Sequence, residues 1–164
     1  MDGTVRAVRG PDLTTAELHG LLRLRVDVFV VEQRCAYPEL DGRDLDPGTV
    51  HFLLGPADAP LAYLRLLTEP GGERRIGRVC TAVAARGRGW GRRVLHAALR
   101  VVGDAPCVLD AQEHLVGLYG GFGFVPSGPG YDWDGVPHVP MRRPSGGTLI
   151  SAPDNAPRKE DTGT

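Results

Sequence analysis

Arg86-Gly87-Arg88-Gly89-Trp90-Gly91-Arg92-Arg93 lies between an apolar run ending at Val83 and a stretch of helical spacing from Gly91 to Val102. Glycines let backbone N–H groups approach a ligand closely and adopt positive φ. A helix start adds N–H groups without partners and the positive end of the helix dipole. With Arg86, Arg88, Arg92 and Arg93 beside it, the segment reads as an anion cradle; the alternative is a tight strand–helix turn with surface arginines. Spacing narrows the ligand. A dinucleotide loop needs G-x-G-x-x-G, whereas these glycines follow G-x-G-x-G, and a Walker loop needs G-K-[ST] where this chain has Gly91-Arg92-Arg93. The pattern left is R-x-x-G-x-G, formed by Arg86, Gly89 and Gly91.

Working outward, strands and helices alternate. Val5 to Arg9 reads as a short strand, and Asp12 to Glu17 as a helix start with a capping residue and acids in its first turn. Leu18, Leu21, Leu22, Val26, Phe29 and Val30 continue at helical spacing, and the helix fades near Glu32-Gln33. Arg34 to Gly48, rich in Pro, Asp and Gly, is a long loop of the kind that carries function. Strands are expected over Val50 to Leu54, Leu61 to Thr68 and Arg75 to Val83. After the Gly91 to Val102 helix come a buried-type strand, Cys107 to Ala111, and a short helix, Gln112 to Gly121. Phe122 to Tyr131 and Val136 to Arg142 form a closing pair of strands. The fold class is therefore α/β, an α+β mixed sheet in a single domain over residues 1–143. Residues 144–164 are Gly/Ser/Pro/Thr-rich, with only Leu149 and Ile150 bulky, and are expected to be a disordered tail.

Composition excludes several classes. The 164 residues are 41% hydrophobic and 24% charged, which suffices for one domain with a real core. No apolar run approaches the ~18 residues of a membrane span, and Met1-Asp2-Gly3-Thr4 does not open a secretory signal. Cys35, Cys80 and Cys107 have no C-x-x-C spacing, so neither a disulfide framework nor a zinc site is expected, and the setting reads as reducing and cytoplasmic. A net charge of −1 argues against bulk nucleic-acid binding. Charge is nevertheless segregated. Seven arginines and no acid lie between Arg74 and Arg93, whereas Glu39, Asp41, Asp44 and Asp46 face Arg43 alone. These are either two solvated stretches or an anion site and a rim that attracts cations.

The R-x-x-G-x-G loop resembles the pyrophosphate loop of the GNAT superfamily of acyl-CoA-dependent N-acyltransferases. Leu118-Tyr119-Gly120-Gly121-Phe122-Gly123-Phe124 is similar to that family's Y-x-x-x-G-F signature, and Arg25 to Gln33 resembles the R-x-x-V-F-V-x-E-Q segment of its ElaA-like subgroup. Further ElaA-like segments are Asp41 to Asp44, Arg75 to Val79, Ala111 to Leu115 and Asp134 to His138. The resemblance covers roughly residues 5 to 143. It implies the GNAT fold, a mostly antiparallel mixed sheet splayed at its centre. The segment before Gly135, usually Glu-Asp in ElaA-like chains, is Trp133-Asp134 here. The V-F-V-x-E-Q segment also resembles acyl-homoserine-lactone synthases, which share the fold.

The resemblance implies acetyl transfer from acetyl-CoA to an amine by direct attack, with no metal. Backbone N–H groups of residues 87 to 91, comprising Gly87, Arg88, Gly89, Trp90 and Gly91, would hold the pyrophosphate, with charge from Arg86 and Arg88. Val83 would pair with the pantetheine amide, and backbone near Thr81 would polarise the thioester carbonyl. Tyr119 is the expected general acid, because a phenol stays protonated at neutral pH. His114 is the first candidate for the base, since an imidazole moves protons at neutral pH. Glu32, Asp110, Glu113 and His138 are the others. Glu32, Gln112, Asp134 and His138 are expected to border the acceptor, and Cys80 and Cys107 to be small core residues. The rival readings are an acyl-homoserine-lactone-type synthase and an acyl-CoA-binding sensor without turnover. The partners expected are acetyl-CoA and an amine, with neither nucleic acid nor membrane; a homodimer is left open.

Overall fold

The computed structural model describes residues 3–146. The expected disorder of residues 144–164 falls almost wholly outside them, as do Leu149 and Ile150.

Eight strands form one mixed sheet in the order β1-β2-β3-β4-β5-β8-β6, with β7 also paired to β8. They are β1 (Val5–Arg9), β2 (Val50–Leu54), β3 (Ala62–Thr68), β4 (Arg74–Thr81), β5 (Cys107–Gln112), β6 (Val125–Pro126), β7 (Tyr131–Trp133) and β8 (Val136–Arg143). Every ladder is antiparallel except β4–β5. The closing pair is shorter than its sequence indicates. Phe122 to Tyr131 does not form one strand, because Gly128, Pro129 and Gly130 break the ladder into β6 and β7.

The helix α1 (Thr15–Arg25) starts at a capping box: Thr14 Oγ1 accepts from the Glu17 amide at 3.2 Å, and Glu17 Oε2 accepts from the Thr14 amide at 3.0 Å. Such a cap is worth ~1 kcal/mol. Beyond Arg25 the winding widens into a π-helical turn, Val26–Glu32, whose capping amide, Gln33 N–H, reaches the Val28 carbonyl at 3.0 Å. The helix α2 (Trp90–Val102) buries Val94, Leu95, Ala98, Leu99 and Val102 on one face against the sheet. Each large aliphatic side chain there contributes ~1.5–3 kcal/mol. The predicted Gln112 to Gly121 helix is split. Gln112 ends β5, Glu113–Leu115 form a 3₁₀ turn, and α3 (Val116–Gly120) follows.

The two sheet faces have different covers. Phe52, Leu64, Leu66, Ile76, Leu109 and Met141 pack with α2 and Phe124. Leu53, Tyr63 and Cys80 point the other way, into a smaller core with Leu21, Leu24, Val28 and Phe29.

Candidate active site

The centre of the sheet is open. β4 and β5 run parallel but pair only at Arg74↔Cys107 and Arg75↔Val108. Past those residues the strands separate, leaving a cleft of about 830 Å³ bordered by both. A bulge in β4 accompanies the separation. Its register against β3 passes from Arg65↔Gly77 to Tyr63↔Cys80, so β4 carries one extra residue. Arg78 occupies that bulge with φ of 55°. A left-handed non-glycine residue costs ~1–2 kcal/mol, so something must hold it. Its guanidinium donates to Glu39 Oε1 at 3.0 Å and lies over the Tyr37 ring at 5.5 Å.

The glycine loop stands at one end of the cleft. Gly87 and Gly89 have φ of 78° and 73°, and a Cβ at either would meet no atom within 4 Å. Gly89 precedes α2, and its carbonyl accepts from the Arg93 amide at 3.2 Å. By helix geometry the amides of Trp90, Gly91 and Arg92 have no partner inside the helix. Open space, left-handed glycines and free amides fit a pyrophosphate group. Thr81 closes β4 beside Gly91, where a Cβ would lie 3.5 Å from Thr81 Oγ1. Val83 is not the end of the strand. β4 stops at Thr81, and Val83 opens a 3₁₀ turn, 65% exposed.

The arginines of the loop are not equivalent. Arg86 donates to both carboxylate oxygens of Glu32 at 2.8 and 2.9 Å, and its Nε donates to the Thr81 carbonyl at 3.2 Å. These hydrogen bonds hold the Glu32 carboxyl below the usual carboxylate range. In the conformation described, Arg86 and Glu32 therefore engage one another, where the sequence assigns one to pyrophosphate and the other to the acceptor. Arg88 stacks on Trp90 at 5.3 Å, Arg92 on Phe122 at 6.0 Å, and Arg93 donates to the Gly3 carbonyl at 3.2 Å.

Tyr119, on α3, lines the cleft at 4% exposure and meets Phe124 edge-on at 6.2 Å. Burial pushes its phenol up to about 12, which keeps it protonated. Gln112 and Gln33 exchange amide hydrogen bonds at 3.0 and 3.5 Å, tying the end of β5 to the π turn. His114 lines the cleft from the exposed 3₁₀ turn. His138, on β8, also lines it, with Nδ1 2.7 Å from the Val136 carbonyl. Asp134 does not line the cleft. It sits at the exposed β7–β8 hairpin tip with φ of 54°, and Asp134-Gly135 has the positive φ values that such a tight turn requires.

Residues 25–144 match the family model "Acetyltransferase (GNAT) domain". The chain belongs to the GNAT acetyltransferase family. A UPF0039 protein of Mycobacterium tuberculosis is 52% identical over 91% of this chain and 98% of its own length. The crystal structure of Escherichia coli ElaA superposes with a TM-score of 0.80 at 36% identity, over 85% of this chain and 98% of that one. An acyl-CoA N-acyltransferase from Pseudomonas aeruginosa gives a TM-score of 0.80 at 44% identity, with the same two coverages. The open mixed sheet expected from the motifs is thus the fold of this GNAT domain.

The acidic stretch of the GNAT domain is not a cation-attracting rim. Glu39, Asp41 and Asp44 are consumed by three arginines of the fold. Arg25 donates to Glu39 at 2.5 Å and to Asp44 at 2.6 Å, Arg65 to Asp41 at 2.6 Å and to Asp44 at 2.9 Å, and Arg78 to Glu39 at 3.0 Å. Arg25 is 0% exposed. Burial raises the Asp44 carboxyl, but the hydrogen bonds and charges of Arg25 and Arg65 outweigh it and leave the group below its ordinary range. The lattice pins the loop after the π turn, and with it Tyr37, whose ring meets Trp133 at 6.0 Å. A signal for it was present: Arg25 follows Leu21 by one helical turn on the apolar stripe, and Arg65 interrupts an apolar strand.

Proposed function

We propose that this acyltransferase moves an acetyl group from acetyl-CoA to a primary amine of a small molecule, peptide or protein by direct attack, in the cytoplasm. The observation that carries the reading is the parting of β4 from β5, with the glycine cradle at one end and the Tyr119 phenol in the wall. When bound, acetyl-CoA supplies a thioester carbonyl and a thiolate leaving group. The amides of residues 87 to 91 hold its pyrophosphate, Arg88 adds charge, and the Val83 and Thr81 backbone borders the pantetheine and thioester. Tyr119 gives the departing sulfur a proton.

Direct attack is favoured by the cysteines. Cys35, Cys80 and Cys107 are all buried, and burial raises all three thiols, that of Cys107 to about 11. A thiol held neutral is a poor nucleophile for a covalent acyl intermediate. Among the described residues, no helix is long and apolar enough to cross a membrane.

Thiol release from acetyl-CoA across a panel of amines is the test. Amine-dependent release is the expected result. Coenzyme binding without release would instead make the protein a sensor. A requirement for a long acyl chain and S-adenosylmethionine would make it an acyl-homoserine-lactone-type synthase.

A further inference from the structure

An amine that attacks a thioester must lose a proton, and the cleft offers few groups to take it. Four carboxylates line the cleft, and each is engaged by arginine: Glu32 by Arg86, Asp41 by Arg65, Glu69 by Arg43 and Arg75, and Asp110 by Arg75. A carboxylate that accepts from a guanidinium has its lone pairs occupied by that partner. The other candidates lining the cleft are two imidazoles, His114 and His138.

The two differ in how they are held. His114 is exposed, on a 3₁₀ turn, and makes no hydrogen bond, ion pair or ring contact with any described residue. His138 is half-buried on β8, opposite Gln112 of β5 and Tyr131 of β7. Its ring stacks on Tyr131 at 5.8 Å and 19°, and meets Trp133 at 6.1 Å. Its Nδ1 lies 2.7 Å from the Val136 carbonyl. A carbonyl oxygen only accepts, so in the neutral ring the proton sits on Nδ1 and the lone pair on Nε2. Fixing the tautomer through the other nitrogen is what a general base requires.

The geometry points to His138 as the general base, taking the acceptor's proton on Nε2 while the Val136 carbonyl holds the proton on Nδ1. The assignment rests on the N-acetyltransferase reading. Nε2 of His138 first takes a proton from the ammonium form of the acceptor; the freed lone pair forms the C–N bond to the thioester carbonyl carbon, and the C–S bond breaks. Sulfur takes the phenolic proton of Tyr119, and the second proton of the acylated nitrogen passes through water to the phenolate. The imidazolium then releases its proton to solvent, which restores both groups.

The experiment compares single-turnover acetylation of two surrogate acceptors at neutral pH: propylamine, which is mostly protonated, and methoxyamine, which is mostly neutral. His138→Asn keeps an amide N–H in the place of Nδ1 and removes the base, and His138→Gln is a second variant should the first fail to fold. The expected result is a roughly 10²–10⁴-fold loss with propylamine, a loss under about tenfold with methoxyamine, and unchanged acetyl-CoA affinity by calorimetry. His114→Asn should leave both rates near wild type. Equal losses with the two amines would make His138 structural, and a selective loss in His114→Asn would move the role there; either overturns the assignment, as would no loss at all. A wild-type protein that binds acetyl-CoA yet acetylates neither amine overturns the N-acetyltransferase reading, and the base with it.

Discussion

Replacing Arg25 with Met probes the lattice of ion pairs behind the cleft wall. The guanidinium is 0% exposed and donates to Glu39 Oε1 at 2.5 Å, Asp44 Oδ1 at 2.6 Å and the Glu39 carbonyl at 2.8 Å. Removing one partner of a buried ion pair costs ~3–5 kcal/mol. Both carboxylates keep a second arginine, Arg78 at 3.0 Å from Glu39 and Arg65 at 2.9 Å from Asp44, which places the loss near ~3 kcal/mol. For a domain of this size that is a fall of roughly 6–12 °C in thermal midpoint. The effect has a definite pH dependence. Asp44 titrates below its ordinary range in the folded protein, so its ionised form contributes stability above the unfolded value of ~4, and that contribution is lost as pH falls. Without Arg25 the folded carboxyl, left with Arg65 alone, takes up a proton at higher pH than in wild type. The gap between wild type and variant should therefore narrow as pH falls below ~4. Urea unfolding at a series of pH values measures it. A deficit below ~1 kcal/mol at neutral pH, or a gap that does not narrow, refutes the lattice as a stabilising unit.

Gly89→Glu places a carboxylate in the open cradle at a residue with φ of 73°. Acetyl-CoA should then no longer raise the thermal midpoint, and unaltered affinity by calorimetry would remove the loop from coenzyme binding. Tyr119→Phe preserves the packing against Phe124 and removes the proton donor. Single-turnover transfer should fall by roughly 10²–10⁴-fold with coenzyme affinity kept, whereas a normal rate would leave Tyr119 as a core aromatic. Trp133→Ala opens the ring contacts to Tyr37 and His138. It should raise the KM for the acceptor far more than that for acetyl-CoA, and equal changes in both would place Trp133 outside acceptor recognition.

Periodicity and glycine spacing made most of the fold legible. β1, β2 and the α2 stripe follow directly from apolar spacing, and the helix start within Asp12 to Glu17 from capping chemistry. The glycine loop was legible because few ligands accept that spacing. What the sequence concealed were partnerships. Nothing local says that Arg86 meets Glu32, 54 residues away, or that Asp41 and Asp44 meet Arg65. A run of four acids reads as a solvated rim until the chain brings arginines beneath it. The β4 bulge was equally hidden, because one extra residue in a ladder leaves no compositional trace. Asp134 was drawn toward the acceptor by its place in a matched segment, when Asp134-Gly135 is also the ordinary chemistry of a tight hairpin.

The π turn at Val26–Glu32 sets the angular phase of the residues at its C-terminal end. An α-helix advances ~100° per residue and a π-helix less, so rewinding the same seven residues as ordinary α-helix would swing the side chains at their end by about that angle. Glu32 would leave Arg86, and Gln33 would leave Gln112, both at once. The span between the glycine loop and the end of β5 is therefore geared to a count of residues rather than to the size of any side chain. No point substitution reproduces that adjustment, and a one-residue deletion keeps the phase only by rewinding the segment as α-helix.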